Sequence, residues 1–238
     1  MSNWENIWKG KTLENLNKGK NEFELFYDLK KVDGFDVSVE NETRYYRNFY
    51  DEWFTMSNKI REIASSEINS VYEVGCGSGV NLFLFKNHFD DIFCGGIDYS
   101  ENLINIAEEI VASDDLTCGE AKKIDPDCKY DVVLADSVFQ YFPDIEYAEE
   151  VLRKMIKKAN KIVYLGELHD AEKQYEWLAN RRKLMVNYDE VYAGLDKLFY
   201  SKEWLMNIAT EYKRSIEFTV SKNPEYWNGK YIFNCFIY

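Results

Sequence analysis

From about residue 45 onward, apolar positions follow two alternating rhythms. Val71-Tyr72-Glu73-Val74, Ile92-Phe93-Cys94-Gly95-Gly96-Ile97, Leu116-Thr117-Cys118, Tyr130-Asp131-Val132-Val133-Leu134-Ala135 and Lys161-Ile162-Val163-Tyr164-Leu165 are short, nearly continuous apolar runs. Such runs suit strands buried on both faces of a parallel sheet. Between them the apolar spacing changes to three and four. Trp53, Met56, Ile60 and Ile63 share one face of a helix over about 45–65, and a second helix follows over about 79–88. Ser100 is placed to cap a helix over 101–112. Asp144 is placed to cap one whose apolar face is Ala148, Val151, Leu152, Met155, Ile156 and Ala159.

The alternation breaks after the fifth strand. Residues 171–200 are helical in pattern, polar and Tyr-rich, and read as an insertion over the carboxyl ends of the strands. Ser201 caps a further helix to about 211, and two strands close the chain near 214–221 and 230–237. The segment from Asn223 to Gly229 joins them and carries an Asn-Gly turn signal. Residues 1–44 are polar and punctuated by Gly10, Gly19 and Gly34, with Trp4, Ile7, Trp8 and Leu13 in partly helical spacing. The expected organisation is an N-terminal extension, a short helix plus loop serving as a lid over 1–44, followed by one α/β domain over 45–238. The fold class is a doubly wound, mostly parallel sheet of seven strands ending in an antiparallel hairpin.

Chemistry concentrates where the first strand ends. Val71-Tyr72-Glu73-Val74-Gly75-Cys76-Gly77-Ser78-Gly79 runs an apolar strand into three glycines at alternate positions, and a helix pattern follows directly. Asp98 ends the second strand, 19 residues after Gly79. An acid about 20 residues beyond such a loop accepts hydrogen bonds from ribose hydroxyls. The loop departs from the dinucleotide fingerprint, because Val80 stands where a third small residue is needed for close helix–strand packing. The carboxylate of Glu73 also repels a phosphate and attracts a cation, which suits an amino group or a sulfonium.

These residues resemble motif I of the class I S-adenosylmethionine (SAM) dependent methyltransferases, and the likeness extends over roughly residues 45–238. The resemblance implies that Glu73, Gly75, Cys76, Gly77 and Gly79 lie under the methionine and ribose of SAM, whose spent form is S-adenosylhomocysteine (SAH). It implies that Asp98, with Tyr99, binds the ribose and that Glu120-Ala121 lies at the adenine. Asp136-Ser137, ending Leu134-Ala135-Asp136-Ser137, falls near the methionine end. Arg44, ahead of Tyr45-Tyr46, is a candidate clamp for the SAM carboxylate, and an exposed charge is the competing reading. Gln140 and Tyr141 are candidates for the substrate side, or for loop residues tucked onto the core.

Composition and charge narrow the partners. The formal net charge is −13, which repels a nucleic-acid backbone, so nucleic-acid methylation is disfavoured. The compact basic cluster Arg181-Arg182-Lys183 lies in the insertion. It reads either as a solvated helix face or as a grip on a phosphate or carboxylate of the acceptor. Cys76, Cys94, Cys118, Cys128 and Cys235 show no paired spacing and read as reduced thiols of a cytoplasmic protein. No secretory leader and no membrane span are expected. With two histidines and no C-x-x-C, no dedicated metal site is expected.

Methyl transfer is a displacement that needs alignment, exclusion of water and, for a neutral hydroxyl or amine, a base. His169, in Gly166-Glu167-Leu168-His169-Asp170 after the fifth strand, is the candidate base, with Asp170 or Glu167 to orient it. A loop histidine is the competing reading. His88 reads as a helix C-terminal cap. The expected activity is therefore a SAM-dependent methyltransferase acting on an oxygen or nitrogen of a small molecule, as a monomer or homodimer. The expected acceptor is a sugar, nucleotide-linked or phosphorylated precursor, such as a capsule phosphoramidate of polysaccharide biosynthesis. A protein methyltransferase, a non-catalytic SAM-binding partner subunit and an NAD-dependent oxidoreductase remain as alternatives.

Overall fold

The computed structural model describes residues 3–13, 19–34, 39–113 and 115–238. Its elements, in chain order, are α1 (Asn3–Lys9), α2 (Glu22–Val32), α3 (Glu42–Ala64), β1 (Ser70–Val74), α4 (Val80–His88), β2 (Phe93–Asp98), α5 (Glu101–Val111) and β3 (Asp115–Cys118). They continue with β4 (Tyr130–Asp136), α6 (Ile145–Lys158), β5 (Ala159–His169), α7 (Gln174–Leu184), α8 (Tyr188–Val191), α9 (Lys202–Glu211), β6 (Ile216–Thr219) and β7 (Ile232–Ile237). The seven strands form one sheet in the order β3-β2-β1-β4-β5-β7-β6. The first five are parallel, and β7 lies antiparallel between β5 and β6. The strand order reverses between β1 and β4, which makes the cleft at their carboxyl ends the place where this architecture binds ligands.

Side chains of a strand point alternately to the two faces, and two cores follow from that. Val132 and Leu134 of β4 face the layer of α2, α3 and α4, packing with Phe26, Leu29, Trp53, Ile60, Leu82 and Phe85. Val133 and Ala135 face α6 and α9, with Val151, Leu152, Met155, Leu205 and Ile208. The expected caps form: Ser100 accepts from Leu103 N, Asp144 from Tyr147 N and Ser201 from Trp204 N. His88 ends α4 with Nε2 2.8 Å from Glu22.

Two features differ from the sequence expectation. The extension contains a second helix, α2, which shares a core with α3 and α4. Its start is a capping box: Asn21 accepts from Glu24 N, and Glu24 accepts from Asn21 N at 2.9 Å. The boundary expected at residue 44 therefore falls inside α3 and separates α2 from its packing partners. Strand β5 runs to His169 rather than Leu165, because its pairing with β7 continues past the end of β4 to Leu168↔Phe233 and His169↔Ile232.

A third apolar cluster lies over the strand ends. Trp4 of α1, Trp177 of α7, Tyr188 of α8, Tyr192 just after it, and Tyr231 are its buried members, with Trp8, Tyr141, Phe199 and Trp227 packed against them. The insertion expected over 171–200 thus forms a cap joined to α1 by aromatic packing. All five cysteines are free, three of them buried. Among the described residues no helix is long and apolar enough to cross a membrane.

Candidate functional site

A cavity of about 610 Å³ opens between the strand ends and the aromatic cap. One end is built by the glycine loop. Gly75, Gly77 and Gly79 all have positive φ, at 73°, 52° and 81°, which glycine adopts without the steric penalty of a Cβ. Gly77 also needs its missing Cβ, since one would lie 2.7 Å from the Asp33 carboxylate. Two acids hold the loop. Asp98 accepts from Gly77 N at 3.1 Å and from Ser100 N at 2.8 Å. Asp33, the residue ending α2, accepts from Ser78 N at 2.9 Å and from Ser78 Oγ at 2.8 Å. Burial raises the pKa of Asp98, and burial pushes Asp33 up to about 7.

A polar cluster occupies the middle. Glu73 is almost fully buried; its Oε1 accepts from Asn81 Nδ2 at 2.7 Å, while Oε2 is buried with no partner among the described residues. Burial drives its pKa well up, and the neighbouring carboxylates of Asp136 and Asp33 add to the shift. Lys30 of α2 lies 3.4 Å from Asp136 Oδ2. Burial works against its charge, but Asp136, Glu167 and Asp33 more than offset that and raise its pKa. Glu167 Oε2 accepts from Ser137 Oγ at 2.8 Å and from Tyr226 OH at 2.9 Å. A second cavity of about 520 Å³, between α3 and the β6–β7 edge, meets the first at Lys30, Phe49, Asn81, Asp136 and Glu167.

The far end is aromatic and cationic. Trp177, Tyr192, Trp227 and Tyr141 line it together with Arg181 and Lys197. The Arg181 guanidinium lies 4.9 Å from the Tyr192 ring centre and 5.2 Å from that of Trp227. Lys197 Nζ lies 5.0 Å from the Tyr141 ring, and Tyr141 packs edge-on against Trp4 and Trp8.

Most of the residues expected from sequence come together here. Glu73, Gly75, Cys76, Gly77, Asp98, Tyr99, Glu120, Ala121, Asp136, Ser137, Gln140 and Tyr141 all line the cavity. Three do not. Gly79 faces α5, where a Cβ would meet Val111 and Ala107 at 2.9 and 3.0 Å, so its smallness serves helix packing. Arg44 points away and pairs with Glu225 at 2.9 Å. Lys30, from a helix the sequence does not announce as part of the site, brings a cation to the polar middle of the cavity beside Asp136.

His169 lies behind the wall rather than on it. Its ring packs between Trp177 and Phe199, and Nε2 sits 3.3 Å from Asn228 Nδ2. Asn228 Oδ1 accepts from Trp177 Nε1 at 2.8 Å, which orients the amide so that its NH₂ donates to His169 Nε2. The imidazole proton then sits on Nδ1, which has no partner among the described residues. Burial, with the charges of Lys197 and Arg181, holds its pKa well below the usual value. Asn228 also donates to Tyr226 OH at 3.3 Å, so His169 reaches Glu167 only through Asn228 and Tyr226. Of the basic pair, Arg181 lines the cavity, while Arg182 is exposed and pairs with Asp189 at 3.0 Å. Among the described residues no cluster of potential metal ligands occurs.

Comparison with known proteins agrees with this geometry. Residues 72–162, from β1 into β5, match a family described as a methyltransferase domain. A malonyl-[acyl-carrier protein] O-methyltransferase of Priestia megaterium is 24% identical over 130 residues, covering 52% of this chain and 47% of that protein. The chain thus spans about half the length of that curated relative. The magnesium protoporphyrin IX methyltransferase of Synechocystis PCC 6803, solved with bound SAM, superposes with a TM-score of 0.60 at 13% identity, over 93% of this chain and 98% of that one. The plantazolicin methyltransferase, solved with SAH, superposes with a TM-score of 0.61 at 16% identity, over 98% and 93%. The chain thus carries a segment that matches a methyltransferase domain, on a fold shared with these two solved methyltransferases.

Proposed function

We propose that the protein transfers a methyl group from SAM to an oxygen or nitrogen of a small molecule. The observation that carries this reading is the buried Glu73 carboxyl, with one oxygen unpartnered, beside the loop that Asp98 anchors. A buried polar atom left unpaired calls for an explanation, and a cationic ligand supplies one. The residues present fit SAM. Asp98 and Tyr99 would take the ribose, Glu120 and Ala121 the adenine edge, and Glu73 and Asp136 the ammonium. Lys30 would take the carboxylate in place of Arg44. SAM supplies a methyl group already activated by the sulfonium, so the chain need only align the acceptor, exclude water and handle a proton.

Trp177, Tyr192, Trp227 and Tyr141 would exclude water over the acceptor. Arg181 and Lys197 at that end favour an acceptor bearing phosphate or another anion. A phosphorylated sugar or nucleotide-linked precursor has that character. An open cavity of this size supports an enzyme over a partner subunit whose acceptor pocket is filled. Glu73 beneath the loop disfavours the pyrophosphate of NAD.

Isothermal titration calorimetry with SAM, SAH and NAD tests the reading. Binding of both sulfur compounds and not NAD is expected. Binding of NAD alone, or of none of the three, rejects it.

A further inference from the structure

The ends of β4 and β5 carry a feature that cofactor binding does not use. Ser137 and Glu167 both adopt left-handed backbone, with φ of 58° and 56°. Neither is glycine, and such conformations cost free energy that persists mainly where the surroundings enforce them. Here the enforcement is visible. The pairing of β5 with β7 shifts register between Leu165 and Leu168, so Gly166 and Glu167 bulge from the ladder. Asn234 Oδ1 accepts from Glu167 N at 2.9 Å, and Gly166 O accepts from Ser137 N at 3.1 Å. The Asp136 side chain lies across Gly166, where a Cβ would fall 2.0 Å from Asp136 Oδ1. The bulge brings Glu167 into the walls of both cavities.

Three carboxyl groups meet at this junction, and their partners differ. Asp136 lies against Lys30 and Asn81. Glu73 is held by Asn81 beneath the loop. Glu167 receives two hydroxyl hydrogen bonds on one oxygen, Oε2, while Oε1 receives none from the described residues. A base must be held in place yet keep a lone pair, and Glu167 meets both conditions.

We propose that Glu167 is the proton acceptor of the methyl transfer, so that the acceptor attacks through a hydroxyl or amine and not through a group already anionic. This rests on the SAM-dependent reading above. The acceptor oxygen or nitrogen forms its bond to the methyl carbon as the carbon–sulfur bond breaks. That bond's electron pair stays on sulfur, giving SAH, and the proton of the acceptor passes to Glu167. The groups facing Glu167 among the described residues are Lys30 from α2, Tyr45 from α3, Asp136 from β4, Tyr164 from β5 itself, and Tyr141, Tyr226 and Ser137 from the flanking segments. Burial and Asp136 raise its pKa while Lys30 opposes them, the direction that suits a base working near neutral pH.

Sinefungin, which carries an amine-bearing carbon where SAM has its methyl sulfonium, reads the carboxylate facing the transferred methyl. Titration calorimetry at pH 7.5 compares sinefungin with SAH on the wild-type protein and on Glu167→Gln. The wild type is expected to favour sinefungin by about 10-fold or more, the size of one charge-assisted hydrogen bond. Glu167→Gln is expected to keep its SAH affinity and lose that preference. A preference that survives the substitution with SAH binding intact overturns the proposal. If Glu167→Gln does not fold, the wild-type preference measured from pH 8.5 to 5.5 decides: it should shrink with acid, and a constant ratio overturns the proposal. Failure of the wild type to bind either compound rejects the methyltransferase reading instead. A transfer assay with labelled SAM supplies the second arm. Methylation of hydroxyl or amine acceptors that falls roughly 100-fold or more in Glu167→Gln supports the base, and methylation confined to carboxylates or phosphates overturns it.

Discussion

The two ends of the cavity are built in different ways. The glycine-loop end is made by backbone and acids: Gly75 to Ser78, Asp98 and Asp33, joined by hydrogen bonds of 2.8 to 3.1 Å. Its key residues, from Glu73 to Asp98, lie close together in the sequence. The capped end is made by side chains from four distant segments. Trp4 and Trp8 come from α1, Trp177 and Arg181 from α7, Tyr188 and Tyr192 from α8 and its C-cap, and Trp227 from the β6–β7 connection. The first end uses fixed dipoles and carboxylates, which suit the one cofactor proposed for it. The second uses large rings and two cations, which change easily without disturbing the sheet. A scaffold of this kind keeps its cofactor chemistry while its acceptor varies.

The largest expected effect falls on the loop end. Asp98→Ala removes the acid that anchors Gly77 and would face the ribose, so it is expected to weaken SAH binding about 100-fold, or about 2.7 kcal/mol. Adenosine binding should weaken in parallel. Lys30→Met is expected to cost about 10-fold with SAH and nothing with adenosine, which has no carboxylate. Calorimetry with the two ligands separates the roles. Equal losses with adenosine and SAH in Lys30→Met would remove Lys30 from the carboxylate.

That same contrast explains what the sequence could show. The loop end is legible because Glu73, the three glycines and Asp98 sit on consecutive elements at a spacing the strand–helix–strand unit dictates. The seven strands were legible too, since each buried strand is an apolar run. Lys30 and Asp33 escaped because α2 precedes the sheet and reaches the loop only through space, although its capping box, Asn21 with Glu24, and the spacing of Phe26, Leu29 and Val32 announce the helix. In the sequence Glu167 reads only as a partner for His169. Its direction depends on a bulge produced by pairing with β7, which no local pattern encodes. His169 was expected at the cavity edge, but the extension of β5 and the rings of Trp177 and Phe199 place it behind the wall.

Titration sets the two ends against each other. Asp33 has its folded pKa raised to about 7 by burial, so the folded state binds more protons than the unfolded chain below that value. Its contribution to stability is present below about pH 4 and is lost as pH rises to about 7. His169 has its folded pKa lowered by burial and by Lys197 and Arg181. Its contribution is present above about pH 6.5 and is lost as pH falls below it. Urea unfolding of the ligand-free wild type, Asp33→Asn and His169→Gln between pH 5 and 8 should show these opposite slopes. Each is at most about 1.4 kcal/mol per pH unit relative to its variant. Parallel curves for either variant would show that its residue does not titrate as the structure implies.

The finest comparison lies within the cap, between adjacent residues. Arg181 and Arg182 are neighbours in sequence but about 100° apart around a helix, so only one can face the cavity, and the basic run alone cannot say which. Arg181 is 8% exposed and surrounded by Trp177, Tyr188, Tyr192 and Trp227. Its aliphatic stem and guanidinium both contribute to packing. Arg181→Ala is expected to cost about 1–2 kcal/mol, which for a chain of this length lowers the melting temperature by about 2–8 °C. Arg182→Ala removes only an exposed pair with Asp189 and should leave the melting temperature unchanged. Circular dichroism melts of the two variants decide between the faces. A larger loss in Arg182→Ala than in Arg181→Ala would mean that α7 presents its other side to the cavity, and the cationic end of the site would then have to be reassigned.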